Sequence, residues 1–163
     1  MIKKVACAMD YDFGRFLRRL ENVYENALRK LKVGKPQMQY LLFIFPRLRG
    51  LAGSRKSFVY GLRDLNEAKV YLEHPILGPR LHECCEAILT HKDKTVEELF
   101  GETHASNLQS SMTLFSLVSG ENSIFHKVLE QFFDGEAAPV TSGLADRSIV
   151  DISYRKYLIA VDL

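Results

Sequence analysis

The stretch "LGPRLHECCEAIL", from Leu77 to Leu89, decides how the chain is read. In one dimension it crowds His82, Glu83, Cys84, Cys85 and Glu86 together, the composition of a metal or redox site. On a helix the order changes. Leu77, Leu81, Cys84 and Ile88 recur at i, i+4, i+7 and i+11, so Cys84 continues an apolar stripe. Cys85 lies at its margin, and His82 and Glu86 fall on an adjoining face. A zinc site needs about four ligands, usually in paired spacings such as C-x-x-C. No such pair exists, and Cys7 is isolated near the N-terminus. The stretch reads as an amphipathic helix carrying a buried, inert thiol at Cys84, with no metal and no cofactor implied.

The same period runs outward in both directions. Phe13, Phe16, Leu17, Leu20, Tyr24, Ala27, Leu28 and Leu31 form one wide stripe, which predicts a single helix over 13–32 with Gly34 as its stop. Pro36 opens "PQMQYLLFIFP", where residues 41–45 fit either a helix or a short buried strand. "RGLAGSRKS" reads as a loop. Asp64 and Glu67 stand at capping-box spacing ahead of a helix that Pro75 ends, and Pro79 lies in the start of the next. "TVEELFG" is a short helix with Thr95 and Glu98 as a second capping box and Gly101 as its stop. "ASNLQSSMTLFSLVSG" and "NSIFHKVLEQFFDG" give two more. From Glu136 the pattern loosens. Tyr154, Tyr157, Leu158 and Val161 suit a helical turn, whereas "IVDIS" and "LIAVDL" suit strands. The expectation is an all-α fold: one compact, irregular multi-helix bundle over residues 10–145, with residues 146–163 as an extension of open structure.

Bulk properties agree with a folded domain. The 163 residues are 47% hydrophobic and 26% charged, and the formal net charge is only +2. Neighbouring Cys84 and Cys85 make no disulfide framework, so reduced thiols are expected. In "MIKKVACAMD" the apolar run is cut by Asp10, short of a signal peptide, and no apolar run approaches the ~20 residues of a membrane span. A cytoplasmic protein with no membrane partner is expected; the oligomeric state is open.

Several motifs, taken in order, resemble a known family. They are "FIFP" at Phe43–Pro46, "YLEHPILGPRL" at Tyr71–Leu81, "LFG" at Leu99–Gly101, "SSMTLF" at Ser110–Phe115 and "FFDGE", followed by Pro139, Thr141 and Leu144. Together they are similar to the bacterial domain-of-unknown-function family 1810, over about residues 10 to 145. The resemblance implies a small, mainly helical fold and no established activity. It also exposes departures. Members look like Ser-His-Trp-Met-Trp before "FIFP" and Gln after it, where this chain has Met38, Gln39, Tyr40, Leu41, Leu42 and then Arg47. The calpastatin label that members carry does not suit capped amphipathic helices, since such inhibitors are polar and disordered.

Polar residues inside these motifs are the candidates for a site. Ser110, Ser111 and Thr113 place hydroxyls on or beside an inner helix face; they serve a polar ligand, or bond carbonyls one turn back. No G-x-S-x-G elbow accompanies them. His74 before Pro75 suits capping of the preceding helix's carbonyls. Arg80, in a first helical turn that disfavours cations, suits an internal acid or an anionic ligand. With Tyr40 and Phe45 these complete a candidate pocket for a small anionic or nucleotide-like ligand, binding rather than catalytic. The competing reading is a non-catalytic protein-interaction module whose motifs are core. A weaker one, nucleic-acid binding through the basic loop of Arg47, Arg49, Arg55 and Lys56, is opposed by the low net charge.

Overall fold

The computed structural model describes residues 11–51 and 53–148. Cys7, the N-terminal run and the segment from "IVDIS" onward lie outside the described residues. Among those described, nine α-helices follow one another: α1 (Gly14–Leu20), α2 (Tyr24–Lys32), α3 (Leu41–Ile44), α4 (Arg55–Val59), α5 (Leu65–Glu73), α6 (Leu77–Leu89), α7 (Val96–Val118), α8 (Ile124–Phe133) and α9 (Pro139–Ser148). The only β feature among them is an isolated parallel bridge between Leu48 and Leu62. The all-α expectation is met.

Two stretches depart from expectation. The helix expected over 13–32 is two, because residues 21–23 form a turn in which the Val23 N–H bonds the Leu20 carbonyl, three residues back. Asn22 and β-branched Val23 are poor helix formers. The turn keeps Leu20 and Tyr24 nearly in register, so the apolar period runs through the break unseen. The "RGLAGSRKS" stretch is a loop only in its first part. Ser54 accepts from the Ser57 N–H and starts α4. The open choice over residues 41–45 resolves as helix, entered by a 3-10 turn at Met38–Tyr40.

The expected caps form unequally. Thr95 and Glu98 make the full reciprocal box at the start of α7. Asp64 accepts from the Glu67 N–H, but Glu67 turns its carboxylate to the Arg63 N–H and to Arg15. That carboxylate is buried and ties α1 to α5 through a 3.0 Å ion pair. Gly101 does interrupt its helix, with φ 73° and ψ 162°, a region that only glycine enters freely, yet helical turns resume at once. The result is one bent 23-residue helix, α7, against which α5, α8 and α9 pack.

Rings carry the core across the bundle. Phe13 and Phe16 of the α1 segment meet Tyr71 of α5 edge-on, Tyr71 meets Phe115 of α7, and Phe115 meets Phe125 of α8, with centroids 5.3–5.7 Å apart. The opening stretch is α6, with Cys84 and Cys85 both fully buried. Burial pushes the Cys84 thiol up to about 12 and raises that of Cys85 too. His82 is exposed and lays its ring against Phe125. Among the described residues no three His, Cys, Asp or Glu side chains are grouped to hold a metal ion. No described helix is long and apolar enough to cross a membrane.

The α5–α6 junction generates two tests. A Cβ placed on Gly78 would stand 2.1 Å from the Leu72 carbonyl oxygen, so the two backbones approach as closely as a missing side chain permits. Gly78→Ala is expected to lower the unfolding free energy by about 1–3 kcal/mol in urea melts, and an unchanged midpoint would contradict the close approach. His74 Nδ1 accepts the N–H groups of Ile76 and Leu77, at 3.1 and 3.2 Å, so it caps the start of α6 rather than carbonyls of α5. That role needs a neutral ring, and burial lowers the His74 pKa below its ordinary 6.5. As pH falls the unfolded chain takes up the proton first, so this stabilisation is complete above about pH 6.5 and drains away through the lower folded value. Urea midpoints taken between about pH 7.5 and 5 should fall less steeply for His74→Asn, whose side chain cannot titrate; equal slopes would refute the cap.

Candidate functional site

The "FIFP" segment shapes one wall of a cleft. Pro46 disfavours helix at the residue before it, and α3 ends at Phe45 with φ −120° and ψ 74°. Leu41, Phe43, Ile44 and Phe45 are buried, which anchors the segment in the core. Its outer side, with the 3-10 turn, leaves Met38, Gln39, Leu41, Leu42 and Phe45 along one wall of a cleft of about 320 Å³. The facing wall comes from α7. His104, Asn107 and Leu108 stand at i, i+3 and i+4, one face of that helix, and Phe100 joins them from before the Gly101 bend. Lys56 and Ser57 of α4 complete the rim with Arg47. A wider hollow of about 450 Å³ near Leu89, Lys92, Lys127, Glu130 and Gln131 is open to solvent and mixes both charge signs.

Arg47 is held on several sides. Its Nη1 donates to Asn107 Oδ1 at 2.7 Å, and its carbonyl accepts from the Leu62 N–H at 2.9 Å. The carbonyl just before it, that of Pro46, accepts from buried Ser111 Oγ at 2.7 Å. Asn107 and Ser111 are one turn apart, so a single face of α7 grips two consecutive residues. Arg47 is half-buried, and this desolvation lowers its pKa. No carboxylate among the described residues lies within ion-pair distance of it, and none lines the cleft. The guanidinium therefore has further donors directed by a rigid fork, in a site of positive sign.

The residues singled out from sequence divide between this cleft and other places. Phe45 lines it. Ser111 lies behind it, bonded to Pro46. Ser110 and Thr113 donate to the carbonyls of Ser106 and Gln109 one turn back, and Thr113 also accepts from the Ala138 N–H. Tyr40 is half-buried against the core and is not part of the cleft lining. His74 and Arg80 sit at the α5–α6 junction. The Arg80 guanidinium lies 4.5 Å from the centre of the Tyr24 ring, a cation–π contact rather than an acid pair. Tyr24 in turn donates to Glu83 at 2.6 Å. Sequence reasoning did not single out Gln39, His104 or Asn107 as site residues, and read Arg47 as a departure from the family pattern and, with Lys56, as part of a basic loop. The spacing of His104, Asn107 and Leu108 on one helix face was the available signal.

Comparison with known proteins adds identity but no activity. The model of a family described as "Protein of unknown function (DUF1810)" matches residues 10–144. The search of curated proteins gives no match. The crystal structure of a conserved hypothetical protein from Mycobacterium tuberculosis is similar, with 36% sequence identity and a TM-score of 0.80. The alignment covers 83% of this chain and 96% of that one. With motifs, helical fold and family model in agreement, the chain belongs to the DUF1810 family.

Proposed function

We propose that the protein binds a small anionic, nucleotide-like ligand in the cleft between the "FIFP" segment and α7. The observation that carries this reading is Arg47: a half-buried guanidinium whose cleft-side partner is a neutral amide. Removing a cation from water without a counter-charge is costly, and a bound anion offsets that cost. Lys56 adds a second positive charge, while Gln39, Ser57, His104 and Asn107 supply neutral hydrogen-bonding groups. Met38, Leu42, Phe45, Phe100 and Leu108 offer apolar surface to the ligand's body, the mixture expected of a small-molecule site. Ser111 acts as a positioning residue through Pro46, and Phe45 as wall. The hydroxyls of Ser110 and Thr113 serve the backbone. The role assigned to the cleft is binding.

The departures from the family pattern fall on this cleft. Four of the five positions before "FIFP" where members resemble Ser-His-Trp-Met-Trp line it here, as Met38, Gln39, Leu41 and Leu42. Arg47, which replaces the Gln, brings the charge. On this reading Arg47 gives this cleft a positive charge that the resembling pattern lacks.

A thermal-shift panel of nucleoside monophosphates, sugar phosphates and organic acids, followed by calorimetry, tests the proposal. Nucleoside monophosphates are expected to raise the melting temperature of the native chain. Arg47→Gln should weaken binding about 10- to 100-fold, the loss of one charge-assisted contact, while the variant still melts cooperatively. A panel that leaves the melting temperature unmoved overturns the reading and favours the interaction module.

A further inference from the structure

The cations around the cleft do not stop at its rim. Lys56, which lines the cleft, places its ammonium 5.1 Å from the centre of the Phe43 ring. Arg19 of α1 places its guanidinium 5.4 Å from the centre of the same ring and 5.8 Å from that of Tyr60. The Arg19 Nε donates to the Tyr60 hydroxyl at 3.0 Å, which fixes the fork. Tyr60 and Phe43 themselves meet edge-on with centroids 4.5 Å apart, so the platform under both cations is packed. Arg19 and Lys56 are exposed, and no carboxylate among the described residues lies within ion-pair distance of either. Two like charges are thus gathered over one buried ring with only aromatic and hydroxyl partners. Like charges repel, and the ring faces offset only part of that repulsion. Their uncompensated charge favours a bound anion beside the two heads.

We infer that Lys56 and Arg19 form a second anion subsite at the mouth of the cleft, and that the ligand is an organic diphosphate rather than a monophosphate. The inference rests on the cleft reading above. The phosphoryl group next to the ligand's body meets Arg47, and the outer one meets Lys56 and Arg19. Lys56, shared by cleft and mouth, joins the two subsites. No bond is made or broken in this role.

Calorimetry with adenosine 5′-monophosphate and adenosine 5′-diphosphate on the full chain, at low and at physiological salt, provides the test. The diphosphate is expected to bind about tenfold more tightly than the monophosphate at low salt, with the preference shrinking as salt rises. Arg19→Gln should bring the ratio of the two affinities to within about twofold of one, with cooperative melting retained. Arg29→Gln, an equal charge change at an exposed position on α2, should leave the ratio as it is. Equal affinities for the two nucleotides, both weakened by Arg47→Gln, would overturn the second subsite and leave the cleft reading standing. A ratio that falls equally in both Arg→Gln variants would mean diffuse attraction and also overturn it. Absence of binding by either nucleotide would remove both readings, and a short single-stranded oligonucleotide that binds through Arg19 more tightly than the diphosphate would replace the small diphosphate with a polymer.

Discussion

One face of α7 holds two consecutive residues of a distant segment: Ser111 grips the Pro46 carbonyl and Asn107 grips the Arg47 guanidinium. The segment between α3 and the Leu48–Leu62 bridge is short of local hydrogen bonds, because Pro46 has no N–H to give and forbids helix before it. Its buried carbonyl needs a donor from elsewhere, and an orphaned one costs about 1–3 kcal/mol. The α7 hydroxyl supplies it across 65 positions of sequence. With that point fixed, Phe45 turns into the core, the chain exits toward Leu62, and Arg47 is left at the edge of a cleft rather than in open water.

The treatment of other arginines shows why Arg47 differs. Arg15 meets the buried carboxylate of Glu67. Arg80 covers the Tyr24 ring, beside a Tyr24–Glu83 hydrogen bond. In each, charge is balanced within the fold or shared with a ring. Arg47 has a neutral amide and a partly desolvated position. A structural guanidinium would be better served by an acid, as Arg15 is. A ligand site keeps its donors available and its field uncancelled.

Much of the fold could be read from the chain because helices write their period locally. The stripe Leu77, Leu81, Cys84, Ile88 identified α6 and placed Cys84 in the core, and the Thr95–Glu98 box marked the start of α7 to the residue. Period alone could not see the turn at 21–23, which preserves the stripe, nor α4, which is too short to show one. The candidate cleft was half legible. The "FIFP" and "SSMTLF" motifs do meet, through Ser111 and Pro46. The hydroxyls that stood out, at Ser110 and Thr113, bond backbone groups, Thr113 reaching as far as the Ala138 N–H, and the cleft's polar groups come from separate segments whose approach is a tertiary fact. His104 and Asn107 carry no local signature beyond their shared face with Leu108. Arg80 drew attention by its place in a first helical turn, which the Tyr24 ring accounts for.

The most direct measurement follows the arginine Nε–Hε groups by nitrogen–proton NMR while adenosine 5′-monophosphate is added. The Arg47 signal, assigned by its loss in Arg47→Gln, should move saturably with the affinity that calorimetry gives, because the anion joins Asn107 as a partner of that guanidinium. An Arg47 signal that stays in place while the nucleotide binds would contradict the cleft as the anion site.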